Sequence, residues 1–307
     1  MMHYLFRLTC GLLMLSMSLA GCSLFDPVEP QPIFLKLAES QVRVANPSGV
    51  IVDQQGLRDF WLDHNGAQLG VYRTGRVIPL LPDPDRNELT IRGGIFANGL
   101  SGIRNAYPFW QPITLQLDAE PLDTVELDLT FEYFPRDSIV VYPLEETFET
   151  GGTDAFISRA SQPNSTLLTP TTLDIYQGDR SGRVRFTPNQ HDFEANSREL
   201  FALRRSSDND IYLELTYRNT VPFTVELFFV NRSQTNLLSL PTGVQFLSPD
   251  SWNTVYVHLL PLVQSTQEDG AYQIRLRANS RDSQTGEVQS GDVFLDNIRL
   301  VTFSPGR

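Results

Sequence analysis

The sequence predicts an all-β fold built from two β-sandwich domains, and three observations carry that prediction. Apolar residues recur with a period of two rather than 3.6 through most of the 307 residues. Short apolar runs are separated at regular intervals by Gly, Pro and Asn turns, with 20 Gly and 20 Pro to supply them. No long stretch carries the spacing of an amphipathic helix. An apolar fraction of 41 % can fill real cores, and the length suits two ordinary domains.

The chain opens on a leader over residues 1–21, with one positive charge at Arg7, an apolar run from Leu8 to Leu15 and small residues at its exit. That pattern is a secretory signal, too short for a stable membrane span. Its exit, Leu19-Ala20-Gly21-Cys22, resembles the bacterial lipoprotein signal, in which the cysteine becomes the lipid-bearing first residue. The resemblance implies a lipidation site at Cys22. Because Ser23 rather than aspartate follows, it also implies anchoring at a bacterial outer membrane, periplasmic or surface-facing. An ordinary cleaved leader with a free Cys22 thiol is the alternative. Residues 22–32 hold three prolines and read as an extended lipidated tether. The other cysteine, Cys10, leaves with the leader, which excludes cysteine-based zinc and redox sites from the mature fold.

Residues 33–134 form the predicted N-terminal domain. Asn65-Gly66 between apolar runs is a hairpin signal. Glu88 to Arg92 alternates, and Gly93-Gly94 is expected to break or bulge that strand. Val125, Leu127, Leu129, Phe131 and Tyr133 share one face, which predicts a half-buried antiparallel strand. The domain is expected to be a compact immunoglobulin-like or transthyretin-like sandwich. Phe134-Pro135-Arg136-Asp137 reads as a hinge.

Residues 138–304 form the predicted C-terminal domain, with strands over 211–217, 223–230, 254–260, 271–279 and 293–302. Four motifs recur in order: Phe148-Glu149-Thr150-Gly151, Gly178-Asp179-Arg180-Ser181, Trp252-Asn253-Thr254-Val255 and Asp296-Asn297-Ile298. Together they resemble the galactose-binding-like jelly roll of many carbohydrate-binding modules. That resemblance implies a structural calcium ion held partly by Glu149 and Asp296. Asp296 also lies in phase with Phe294, Ile298 and Leu300, which would turn a carboxylate toward an apolar face. A turn cap or an arginine partner for Asp296 is the alternative.

No catalytic set stands out. The Glu126, Asp128 and Glu132 carboxylates lie on one strand face, but the outer two would sit ~20 Å apart, too far to flank one glycosidic bond. His64, His191 and His258 lack metal-binding spacing, and no nucleophile elbow or phosphate loop is present. A formal charge of −12 without any basic run disfavours nucleic acid as a partner. The aromatic residues Trp252, Tyr212, Tyr256 and Phe228 could form a sugar platform, although alternation within strands marks such positions more often as core. The expected function is a non-enzymatic, membrane-anchored binding module for glycan or envelope polymer. The alternative is a structural or adaptor subunit of an outer-membrane complex, with an envelope protein partner meeting the aromatic loop Gly99–Trp110.

Overall fold

The computed structural model describes residues 29–37, 42–45, 47, 51–53, 56–160, 162–231, 237–266 and 270–305. Leu19, Ala20, Gly21 and Cys22 lie outside the described residues. No described helix is long and apolar enough to cross a membrane.

The first sandwich is built from β1 (Ile33–Lys36), β2 (Val42–Ala45), β3 (Ile51–Asp53), β4 (Asp59–His64), β5 (Ala67–Arg73), β6 (Val77–Leu80), β7 (Glu88–Phe96), β8 (Arg104–Ala106), β9 (Ile113–Gln116), β10 (Thr124–Glu126) and β11 (Leu129–Phe131). One layer is the antiparallel sheet β5-β4-β7-β8, with β9 also on β7. The Asn65-Gly66 turn joins β4 to β5, both residues with positive φ. The other layer comprises β10-β1-β6 and β11-β2-β3. Leu35, Ile78 and Leu129 from that layer meet Phe60, Leu62, Leu89 and Ile91 in one core.

Two expectations are corrected here. The alternating stretch 125–133 is not one antiparallel strand. It divides into β10 and β11, which pair in parallel with β1 and β2. Alternation reports which face is buried and is silent on the direction of the neighbour. Nor do Gly93 and Gly94 interrupt β7, which runs through both. A Cβ on Gly93 would sit 2.7 Å from Trp110 Cε3, so the glycine lets that indole lie against the strand.

The second sandwich contains β12 (Val140–Glu146), β13 (Phe156–Ser158), β14 (Ser165–Thr166), β15 (Leu168–Thr171), β16 (Ser181–Phe186), β17 (Asp192–Ser197), β18 (Ile211–Asn231), β19 (Leu237–His258), the short helix α1 (Leu260–Ser265), β20 (Gly270–Asn279) and β21 (Gly291–Phe303). Among the described residues these strands form a single hydrogen-bonded sheet folded over on itself at β18. The first half of β18 pairs with β21 and its second half with β20. The two predicted strands 211–217 and 223–230 are therefore one long strand shared by both layers. Leu295, Ile298 and Leu300 of one layer face Ile274, Leu276 and Val225 of the other across the core.

The expected hinge at 134–137 is likewise corrected. Phe134 N–H donates to the Phe109 carbonyl at 3.0 Å, Asp137 N–H to Val140 at 2.8 Å, and Arg136 pairs with Glu145 at 2.5 Å. The linker is pinned because the two sandwiches share a core: Tyr212, Tyr256, Val301 and Phe303 pack with Tyr107, Phe109 and Trp110. Asn98 N–H donates to the Tyr256 carbonyl and accepts His258 N–H on its side-chain oxygen, each at 2.8 Å. Phe303 packs on Phe109 at 4.8 Å between centroids. At the opposite end of the first sandwich, Leu122 N–H donates to the Pro32 carbonyl, and Ile33 lies opposite Leu80.

Glu214 lies at the centre of this seam. Tyr107 and Tyr133 donate their hydroxyls to Oε1, the latter at 2.8 Å, and the Arg299 guanidinium lies 3.8 Å from Oε2. Burial raises the Glu214 carboxyl above its ordinary value of 4.5, against the pull of Arg299 and the two hydroxyls. The folded state therefore keeps this proton over a window in which the unfolded chain has lost it, and stability falls as pH rises from about 4.5 through that window. Urea unfolding between pH 4.5 and 8 should show this decline as one cooperative transition for both sandwiches, with a shallower slope in Glu214→Gln. Tyr133→Phe should lower stability by about 1–3 kcal/mol at fixed pH, since it strips a donor from a buried carboxylate.

Candidate functional site

Along β20, the side chains of Gln273, Arg275, Arg277 and Asn279 alternate with the core residues Tyr272, Ile274, Leu276 and Ala278. They meet Asp192 and Glu194 of β17 on one side and Thr224, Glu226 and Phe228 of β18 on the other. Ion pairs tie this outer face together. Arg275 lies 3.6 Å from both Glu194 and Glu226, and Arg277 lies 3.3 Å from Glu226. The Arg275 guanidinium covers the Phe228 ring at 4.3 Å, so that ring is capped by a cation.

Beyond the ion pairs the face opens into a groove of 490 Å³, bounded by Arg277, Asn279 and Arg281, by Asp192, and by Gln245 of β19. Ser280 also borders it, almost wholly buried, and its hydroxyl has no partner among the described residues. Asp282 does not project into the groove as a free acid. It caps its own turn, accepting N–H from Gln284 at 2.8 Å and Thr285 at 2.7 Å, and those bonds hold its carboxyl below the usual range. The groove thus presents the amides of Gln245, Asn279 and Gln289, guanidinium groups and the Asp192 carboxylate beside Val221 and Pro222, while the Ser280 hydroxyl itself is buried. Such a set recognises hydroxyl-rich ligands by hydrogen bonds. The outward register of Gln273 to Asn279 was readable from alternation. The contributions of Gln245 and Ser280 were not, because they arise from pairing across β18 and from a loop.

Glu149 and Asp296 come together around the loop 176–180. Glu149 accepts N–H from Asp179 at 3.0 Å and Arg180 at 3.2 Å, while Asp296 accepts from Gln177 at 3.1 Å and Asn297 at 2.7 Å. Burial, with the Glu149 charge adding, pushes the Asp296 carboxyl up to about 7. The expected phase of Asp296 is corrected. Glu214 and Thr216 face Arg299 and Asp296, so β21 holds one residue more than β18 here, and Asn297 takes φ 46°. This bulge separates the faces of Phe294 and Ile298. Asp296 therefore lies on the outer face with Phe294 and is only 1 % exposed. Among the described residues no three metal-ligating side chains of His, Cys, Asp or Glu gather anywhere. Two carboxylates fit a calcium ion only if loop oxygens complete its shell.

The remaining sequence candidates fall elsewhere. Glu126 pairs with Lys36 and Asp128 with Arg43, each at 2.5 Å, as on an ordinary solvent face. Tyr212 and Tyr256 are consumed in the seam. Trp110 is only 3 % exposed and Tyr107 and Phe109 are buried with it, so the aromatic part of the loop proposed as an adaptor contact is used inside the molecule, while Leu100 and Ile103 at its tip are exposed. His64 meets Asn87, His191 meets Asn164, and His258 stacks on Tyr212.

No family model and no curated protein matches the chain. Solved structures that it resembles include carbohydrate-binding modules. A module of the β-sandwich superfamily aligns over 81 % of this chain and 88 % of its own, with 11 % identity and a TM-score of 0.38. A xylan-binding domain from Paenibacillus barcinonensis aligns over 53 % of this chain and 94 % of its own, with 10 % identity and a TM-score of 0.37. A family 11 module from Clostridium thermocellum, in complex with a mixed-linked tetrasaccharide, covers 53 % and 95 %, with 10 % identity and a TM-score of 0.36.

Gly178 has φ +73°, and a Cβ there would collide with the Glu149 carboxylate. Gly286 has the same φ with open space around it. Gly178→Ala should therefore lose about 1–3 kcal/mol in denaturant unfolding, clearly more than Gly286→Ala, because only the former displaces Glu149 from the loop.

Proposed function

We propose that this chain is a lipid-anchored, non-catalytic binding protein of a bacterial outer membrane, and that its ligand is a glycan or another hydroxyl-rich envelope polymer. The polar groove beside β20 is the observation that carries the reading. It is open, of sugar-sized volume, and lined by fixed hydrogen-bonding groups rather than by a nucleophile with its base. Attachment through Cys22 rests on the leader alone, and several acyl chains would be needed for stable anchoring. For the adaptor alternative, Tyr107, Phe109 and Trp110 of the Gly99–Trp110 loop are taken up by the seam, which leaves its exposed tip with Leu100 and Ile103 as the contact surface. A structural calcium ion at Glu149 and Asp296 belongs to the same proposal: it would offset the repulsion between two neighbouring carboxylates, with loop oxygens as its other ligands.

Calorimetric titration of the full chain in detergent against a polysaccharide panel should find a binder, with the binding that belongs to this groove lost in Arg277→Ala or Gln245→Ala at unchanged melting temperature. Failure to bind any polysaccharide would remove the glycan reading. Cys22→Ala should abolish palmitate incorporation and detergent partitioning, and unchanged partitioning would remove the anchor. Calcium should raise the melting temperature by a few degrees over chelator at pH 7.5, and Asp296→Asn should lack that response. An identical melting curve in both buffers would leave the loop held by hydrogen bonds alone.

A further inference from the structure

The β16-β21-β18-β19 layer of the second sandwich has an outer face of which the described residues of the N-terminal sandwich cover only half. On the covered half lie Tyr212, Glu214, Tyr256, Arg299 and Val301. The Arg58 guanidinium donates to Asn253 at 2.9 Å and marks where the cover ends. Beyond it the same strands continue with Trp252 on β19, Arg218 on β18, Phe294 on β21 and Arg183 on β16, all half-buried. Phe294 is opposite both Arg183 and Arg218, so arginine, ring and arginine form one row across three strands.

This open half is organised around three rings. Trp252 lies 5.7 Å from Tyr176 and 6.4 Å from Phe294 between centroids. Trp252 Nε1–H donates to Asp174 at 3.0 Å, and Arg218 donates to the other oxygen of that carboxylate at 2.6 Å. Arg183 donates to Asp292 at 2.7 Å while its guanidinium stands over Phe294 at 5.7 Å. Each cation is thus matched by a carboxylate, and the edge of the indole is fixed. Leu173, 71 % exposed, extends the apolar rim on the same loop as Asp174 and Tyr176.

We propose that this open half-face is a second glycan-binding site, taking a neutral polysaccharide that lies across the rings of Tyr176 and Trp252, with the Arg183-capped Phe294 ring as their support. A pyranose has an apolar C–H face and a rim of hydroxyls, and it suits rings flanked by planar donor and acceptor pairs. The cancelled charges favour neutral sugars over uronates. An apolar protein partner would require a continuous apolar patch, whereas here ion pairs separate the rings. The site is distinct from the groove beside β20, and it rests on the glycan reading of the protein only for the class of ligand.

Xylohexaose, β-1,4-galactotriose, a mixed-linked tetrasaccharide and an oligogalacturonate are titrated into the full chain in detergent, with tryptophan emission and calorimetry as readouts. The Trp252 signal is the difference between wild type and Trp252→Phe, since Trp61 and Trp110 are common to both. A neutral probe should change the Trp252 emission, and Tyr176→Ala, whose side chain comes from a loop, should weaken that binding about tenfold at unchanged melting temperature. Arg277→Ala should leave it intact. A Trp252 emission that no neutral probe alters would overturn the second site. So would binding that Arg277→Ala removes and Tyr176→Ala does not, which would leave the groove as the sole glycan site.

Discussion

Glu214 occupies the point where the two cores meet, and its carboxylate is satisfied from both sides at once. The first sandwich provides the Tyr107 and Tyr133 hydroxyls, and the second provides Arg299. Around it Tyr212, Tyr256, Val301 and Phe303 bury the outer face of a sheet whose inner face already lines another core. A sheet covered on both faces cannot expose a buried acid without breaking the cover. The joint therefore behaves as an interior rather than as a contact between two surfaces.

The same burial explains which parts of the fold were legible in the sequence. Period-two alternation located strands such as Glu88–Arg92 and Ala271–Asn279, and Asn65-Gly66 located a turn, because these are local properties. Alternation marked Tyr212 and Tyr256 more readily as core than as a sugar platform, and both are buried, but against the first sandwich rather than in the core of their own. It could not reveal that another sandwich covers them, since that contact joins residues more than a hundred positions apart, as Asn105 and Tyr212 are joined. The parallel partners of β10 and β11 were hidden for a similar reason. One strand records its faces, and its neighbours are chosen elsewhere in the chain.

At the candidate sites the balance is similar. Glu149 and Asp296 were singled out from motifs, and the structure brings them to one loop. The reason for the burial of Asp296 was not readable, because one extra residue at Asn297 changes the phase of β21. The groove depends on Arg277 and Asn279, whose outward register was visible. It depends equally on Gln245, which reaches the site across a strand that the sequence divides in two. Trp252 sits on a strand face but half-buried, because the N-terminal cover stops short of it.

The first sandwich begins beside Pro32 and meets its neighbour at Ala97 and Tyr107, at the far end of β7. The nine residues of β7 alone measure about 30 Å. With Cys22 acylated as proposed, residues 22–32 add a similar length if extended. Under that proposal, binding surfaces on the second sandwich would stand at least the length of β7 above the lipid headgroups and reach polymer rather than membrane.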